Sequence, residues 1–227
     1  MRPHLNLRAR CAVMALGALL AISLSVLPGT AQSDDGVGGS DLIAGARAAI
    51  AADITPGKSR LNVLAGRRAA VNGRVVSGLA GRHALLQRHS GRGWSTIDRA
   101  TTRAGGAFAF AFRPQRPGSA QLRVLVDAAR REIGRLNVYR RAAVSWYGPG
   151  LYGNKLSCGG RLTPGTLGVA HKTLPCGSHV TLRRGDRVIR VRVVDRGPYV
   201  GGREFDLTSA TRTRLHFRGV GSLLVAS

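Results

Sequence analysis

The stretch Val193-Val-Asp-Arg-Gly-Pro-Tyr199 decides the reading of the fold. Upstream of it, Ile189, Val191 and Val193 alternate with Arg190 and Arg192. Period two is the signature of a half-buried strand. Asp195 continues the parity of the apolar set, so the sequence predicts a carboxylate delivered to the inner rim where that strand ends. Arg196-Gly-Pro then stops the strand, because glycine permits unusual φ and proline cannot extend the ladder. A carboxylate at a strand end beside a glycine turn is a place to expect chemistry.

Around this stretch the texture is strand and turn. Val144–Tyr147, His179–Arg183, Arg187–Val194, Glu204–Leu207 and Val220–Ala226 read as short strands, with Arg184-Gly-Asp186 as a hairpin turn. Only Thr208–Arg214 reads as a short helix. A run of short strands with one helix before the last fits a compact closed barrel. Arg140-Arg141 mark the start of this segment.

The preceding segment, from about Ile54 to Tyr139, is a second series of short strands separated by turn signals such as Ser90-Gly-Arg-Gly and Pro114-Gln-Arg-Pro-Gly118. Phe108, Phe110 and Phe112 alternating with alanines make the clearest strand. The spacing suggests a small antiparallel sandwich, immunoglobulin-like or fibronectin-like. Trp94 reads as a core or hairpin residue, and no cluster of acids or histidines here points to catalysis. The expected plan is therefore a signal peptide at 1–31, a linker at 32–53, a β-sandwich at 54–141 and a barrel at 142–227. Within the linker, Asp41–Asp53 is alanine-rich enough for a short helix.

The leader follows from Arg2, Arg8 and Arg10, the apolar run Cys11–Leu27 and the small residues Pro28-Gly-Thr-Ala31. An uncleaved anchor is the alternative; no later stretch is apolar enough to span a bilayer. The chain has 227 residues and a formal charge of +24, and loss of three arginines with residues 1–31 leaves +21. In the cytoplasm such charge would suggest nucleic acid. Export, and a basic content that is almost all arginine, argue against that partner. Anionic cell-wall polymers are the polyanions such a protein would meet. The expected location is extracytoplasmic and wall-associated. Cys158 and Cys176 remain after processing and read as a disulfide in that compartment, worth about 3 kcal/mol if unstrained. A metal site using His171 or His179 is the alternative, although no His/Cys pair has zinc-like spacing. No metal or other cofactor is implied.

Four motifs carry a resemblance. Ser145-Trp-Tyr-Gly, Ala170-His-Lys-Thr-Leu-Pro175, Val194-Asp-Arg-Gly-Pro-Tyr199 and Glu204-Phe-Asp-Leu207 together resemble the rare lipoprotein A family over roughly residues 143–227. The resemblance implies an all-β chain whose C-terminal part is a six-stranded double-psi β-barrel, also similar to expansins. It implies action on peptidoglycan glycan strands as a lytic transglycosylase. His171 and Asp195 match two of the family's active-site residues. The family's glutamate position falls on Gly160, and no acid lies between Arg140 and Asp186.

The resemblance therefore puts Asp195 forward as acid/base, with His171 and Asp206 as further catalytic candidates. Asp195 is alternatively a structural carboxylate held by the Gly197 turn, and His171 a satisfied barrel histidine. The aspartate of a similar segment is the essential acid of expansins, which is the case for Asp206; it alternatively caps the helix or pairs with Arg196 or Arg203. Parity places Glu204 and Asp206 on one face, with Phe205 and Leu207 on the other. Trp146, Tyr147 and Tyr199 are candidate sugar platforms, with core packing as the alternative for the first two. Arg196 and Glu204 are candidate polar ligands, Glu204 alternatively a paired surface charge. Three functions remain open: a lytic transglycosylase, a non-catalytic expansin-like wall-binding or wall-loosening module, and an interaction scaffold attached electrostatically to the wall.

Overall fold

In the computed structural model the described residues are 53–227. The expected leader, nearly all of the linker and most of its helix lie outside them. The elements in order are β1 (Ile54–Pro56), β2 (Asn62–Leu64), β3 (Ala69–Val75), β4 (His83–Ser90), β5 (Gly93–Thr101), β6 (Ala107–Phe112), β7 (Gly118–Val126), β8 (Ala129–Tyr147), β9 (Gly168–His171), β10 (His179–Arg184), β11 (Arg187–Asp195), β12 (Phe205–Thr208), α1 (Ser209–Arg214) and β13 (Gly221–Ala226). Apart from α1 and a 3₁₀ turn at Ala104–Gly106, every regular element described is a strand. The chain is all-β.

The C-terminal strands close on themselves. β8 pairs with β13, β13 with β10, β10 with β11, β11 with β9, β9 with β12, and β12 returns to β8. This ring is a closed six-stranded barrel, an arrangement that leaves no free sheet edge. Its core holds Val144, Val169, Leu182, Val193, Phe205, Leu207 and Val225 from all six strands, with Leu215 and Phe217 just past α1. The expected hairpin joins β10 to β11 through Gly185-Asp186, where Gly185 has φ of 58° at the first turn position. Thr208 ends β12 and caps α1, its side chain accepting from the Thr211 amide.

The N-terminal strands form one sheet in the order β1-β3-β6 and a second set in the order β5-β4-β7-β8, with β2 also on β8. They share one core. Phe108 and Phe110 of β6 lie with Leu86 of β4, Leu122 and Val124 of β7 and Val71 of β3. The phenylalanine–alanine alternation works as expected: the rings turn inward and the alanines outward. Trp94 sits in the β4–β5 hairpin opposite His89, under the Arg123 guanidinium at 4.2 Å.

The last strand of the series ending at Tyr139 and the expected strand Val144–Tyr147 are one. β8 runs unbroken for 19 residues, pairing with β7 and β2 in its first half and with β13 and β12 in its second. Arg140-Arg141 thus lie mid-strand, where the sequence reading placed a break. The core still changes hands there: Val138 belongs to the first core and Ala142 to the second. Between them Tyr139, only 1% exposed, donates its hydroxyl to Asn62, which also accepts from Asn137. Ser119 extends this polar network to Thr181 of the barrel at 3.1 Å. A buried network satisfied in this way fixes local geometry.

Candidate active site in the barrel

The register of four adjacent strands builds the site. Asp195 on β11 pairs with Ala170 on β9, Ala170 with Asp206 on β12, and Asp206 with Ser145 on β8. Directly paired residues project from the same face of a sheet. The row Asp195–Ala170–Asp206–Ser145 therefore carries both aspartates on one side. The next row, Val193–Val169–Leu207–Trp146, turns toward the core.

This corrects the parity argument for Asp195. Simple alternation would put it on the Val191–Val193 face. A β-bulge between Val193 and Asp195 adds one residue, Val194, against β9 and switches the face. Bulges re-aim side chains in this manner and recur beside active sites. Gly168 accommodates the bulge, since a Cβ there would meet the Val194 side chain at 2.4 Å.

Asp195 is held by backbone. Its Oδ1 accepts from the Ser157 amide at 2.8 Å and the Arg196 amide at 2.9 Å, leaving Oδ2 for a transferred proton. One donor, Arg196, opens the Gly197 turn, and the other, Ser157, comes from a distant segment. The Cys158–Cys176 disulfide, with a Cα–Cα distance of 5.4 Å, ties the segment that supplies Ser157 to the loop before β10. Both cysteines lie beside the end of β11: the Cys158 amide donates to Val194 O and the Gly177 amide to Val193 O.

Asp206 Oδ1 accepts the hydroxyl of Ser145, a residue only 3% exposed. Asp206 neither caps α1, which Thr208 does, nor pairs with Arg196 or Arg203. Tyr147 follows Ser145 on the same face of β8. Burial first, then the negative charge of Asp195, hydrogen bonding toward that carboxylate and the charge of Asp206, push its phenol pKa well up, so the hydroxyl keeps its proton. Asp195 is near enough to bias Tyr147, yet the buried Oη closes no hydrogen bond of normal geometry. A buried phenol beside two carboxylates is a donor aimed at the nearer one, Asp195.

The other candidates are placed differently. His171 faces away from the aspartate row, its ring 4.6 Å from Phe205. Its Nδ1 accepts from the Thr173 and Leu174 amides, so the proton of the neutral ring sits on Nε2, 4.0 Å from Glu204 Oε1. Burial holds its pKa below the ordinary value; Glu204 opposes that shift, while Arg140 and Arg196 add to it. Glu204 is clamped by both terminal nitrogens of Arg140, whose hydrogen bonds hold its carboxyl below the usual range against the opposing effect of burial. The structure thus separates Asp195, Asp206, Ser145 and Tyr147 from the cluster of Arg140, Glu204 and His171.

Arg196 ties loops together: Nη1 donates to His171 O at 3.2 Å and Leu174 O at 2.8 Å, and Nη2 reaches Cys176 Sγ at 3.2 Å. Trp146 packs on the barrel core with the Arg212 guanidinium 4.1 Å above its ring, so one face is taken. Tyr199 is 81% exposed and free to meet a ligand. Gly160 lies exposed in the loop after β8 with φ of 78° and open space where a side chain would go. Ser145 and Arg140 were given no part in the site by the sequence, yet each fixes a carboxylate. The signal for Ser145 was its parity with Tyr147.

Residues 141–226 match the family model described as Lytic transglycolase. The match covers the barrel segment, less than half of the chain. Similar proteins include the "Probable endolytic peptidoglycan transglycosylase RlpA" of Synechocystis, 38% identical over 120 residues covering 47% of this chain and 37% of that protein. The "Endolytic peptidoglycan transglycosylase RlpA" of Campylobacter jejuni is 40% identical over 34% of this chain and 29% of its own length. A third relative, the "Probable endolytic peptidoglycan transglycosylase RlpA" of Aquifex aeolicus, is 42% identical over 34% and 35% of the two chains. The chain spans about a third of the length of these relatives. Among the described residues no group of three or more His, Cys, Asp or Glu could hold a metal ion, and no helix is long and apolar enough to cross a membrane.

Proposed function

We propose that the lytic transglycolase barrel binds peptidoglycan glycan strands and cleaves them without water, with Asp195 as acid and then base. The observation that carries this is the in-register row of Asp195 and Asp206 on one face, with the buried Tyr147 hydroxyl beside them. The relatives' names support the substrate and the reaction class. Asp195 Oδ2 gives its proton to the glycosidic oxygen, and the bond from C1 to that oxygen breaks. The same sugar's 6-hydroxyl oxygen then bonds to C1, and its proton returns to Asp195. Atoms and charge balance, and the carboxyl ends as it began. One acid/base suffices because no water has to be activated. Asp206, fixed by Ser145, lies where it can steady the positive charge that develops at C1. Tyr147 donates its hydroxyl to substrate or to Asp195 as the proton moves. His171 supports the end of β9 from the other face, Tyr199 offers a platform for a sugar, and no cofactor takes part.

The same reading takes residues 54–141 as an immunoglobulin-like or fibronectin-like sandwich and 142–227 as the catalytic module. It places the protein outside the membrane after removal of residues 1–31. The net charge of +21 that remains, from +24 less three arginines, supports long-range attraction to anionic wall polymers rather than nucleic acid. A second reading, non-catalytic glycan binding of expansin type, is favoured by Gly160, which supplies no acid where the family has its glutamate. Intact and amidase-treated sacculi incubated with the protein should yield 1,6-anhydro sugar ends by mass spectrometry. Retained binding with no anhydro ends on either substrate would establish the second reading instead.

A further inference from the structure

The N-terminal β region contains a cleft that the barrel chemistry does not use. It has a volume of about 630 Å³ and is lined by Lys58, Arg60 and Arg68 with Asn62 and Asn72. A second cleft of about 440 Å³ shares Arg60, Asn62 and Arg68 with it and adds Arg67 and Arg113. The two are contiguous through these shared residues. Together they bring five cations to one groove, all on exposed residues. None of the protein's 11 acidic residues lines either cleft. Among the described residues none of the five cations forms an ion pair.

The groove is built by the fold rather than scattered on it. Arg60 bridges to Ala70 of β3 through two backbone hydrogen bonds, and Ala70 pairs with Ala111 of β6. The phenylalanines of β6 point into the core, so its outward alanines, Ala109 and Ala111, leave a low floor beside Ala70. Lys58 is set by the Asn72 side chain, which donates to its carbonyl at 3.0 Å. Five uncompensated cations along a floor of methyl groups repel one another until an anion lies between them. Four are arginines, whose forked donors match tetrahedral phosphate oxygens as well as planar carboxylates. A groove that continues across two clefts suits a chain with repeated charges better than a single ion. The only aromatic ring at the lining, Phe110, is 1% exposed, so nothing here offers a face for stacking bases.

We propose that this groove is a binding site for an anionic polymer whose charges are phosphodiesters without bases, held by Lys58, Arg60, Arg67, Arg68 and Arg113. The inference rests on the reading that the basic chain meets a polyanion, and it adds where the contact is made. It does not depend on whether the barrel cuts glycan.

Binding of the full chain to fluorescent poly(glycerol phosphate), followed by anisotropy across a salt series, tests it. The expected log–log salt slope is about −2 to −4, from about 0.7 per phosphate neutralised on a flexible strand. Substituting Arg60→Gln, Arg68→Gln and Arg113→Gln together should weaken binding at least tenfold at about 0.1 M salt and flatten the slope by about two. The matched control removes the same charge from a different basic cluster, Arg135→Gln, Arg190→Gln and Arg192→Gln, in which burial and then the charges of Arg135 and Arg192 lower the pKa of Arg190. It should weaken binding less than about threefold. Equal losses in the two triple variants would overturn the groove while keeping a general attraction to polyanions. No binding by the unsubstituted chain at about 0.1 M salt would overturn the polyanion reading itself. Tighter binding of oligo(dT) with the same number of phosphates would overturn the assignment to a base-free chain. Thermal melts of both variants establish that fold is retained.

Discussion

Asp195 and Glu204 are carboxylates that flank the same loop of one barrel, and they are held in opposite ways. Asp195 rests on two backbone amides and forms no ion pair with any described residue. Glu204 is gripped by both ends of the Arg140 guanidinium, with His171 at 4.0 Å. An arginine clamp fixes a carboxylate in its charged form and occupies both oxygens. Amides on one oxygen orient the group and leave the other free. The difference shows why, of two acids within the matched motifs, one suits proton exchange and the other suits structure.

The sharpest way to break this comparison is to neutralise each acid in turn. Asp195→Asn should lower the yield of anhydro ends by about 10²- to 10⁴-fold, the usual contribution of a positioned acid/base. Glu204→Gln should lower it less than about tenfold, because the amide keeps one acceptor for Arg140. Both variants should bind sacculi as the parent does. If Glu204→Gln costs as much turnover as Asp195→Asn, the assignment of roles is reversed.

A second prediction separates the two acids through the disulfide. The bridge holds the segment that donates the Ser157 amide to Asp195 and does not touch the Arg140–Glu204 pair. Replacing both cysteines by serine should cost about 3 kcal/mol by release of the closed loop in the unfolded chain. Urea denaturation would measure that loss. Anhydro product per folded molecule should fall as well, since Asp195 loses its anchored amide. Free-thiol titration of the unreduced parent should find no reactive thiol at either position.

Much of this arrangement was legible in the sequence. Alternation at Ile189–Val193 and at Phe108–Phe112 gave strands with the right faces, because a half-buried sheet imposes period two. Phe205 and Leu207 point inward and Asp206 outward as parity requires. Parity failed at Asp195, where Val194 is an added residue; a bulge leaves no mark in hydrophobic periodicity unless the partner strand is known. β9 was visible only as a motif, since its buried Gly168, Val169 and Ala170 show no alternation. The continuous β8 was cut in two because Arg140-Arg141 read as a boundary. Arg140 is charged there because it reaches across to Glu204, a contact between residues 64 apart that no local pattern announces. The stacking role expected of Trp146 gave way to Arg212, brought over its ring by α1.

The smallest expected effect is a pH dependence, and its sign follows from the two shifts around Glu204. Burial lowers the pKa of His171, so the unfolded chain binds a proton there more readily than the folded one. Its contribution to stability is complete above about pH 6.5 and falls as the pH drops below that value. Hydrogen bonds from Arg140 lower the pKa of Glu204, so that contribution is complete above about pH 4.5 and is lost as the pH falls through the depressed folded value. Both side chains of the pair are about a third exposed, at 36% and 35%, so screening limits it to about 1 kcal/mol or less. Melting temperature recorded from pH 8 to pH 3.5 should therefore decline in two windows. His171→Asn, which keeps an acceptor for the Thr173 and Leu174 amides, should flatten the window below pH 6.5 and leave the lower one. Arg140→Gln should flatten the lower one. A parent curve that rises between pH 6.5 and pH 5 would mean that His171 gains a proton on folding, and that its Nε2 answers to Glu204 more than to burial.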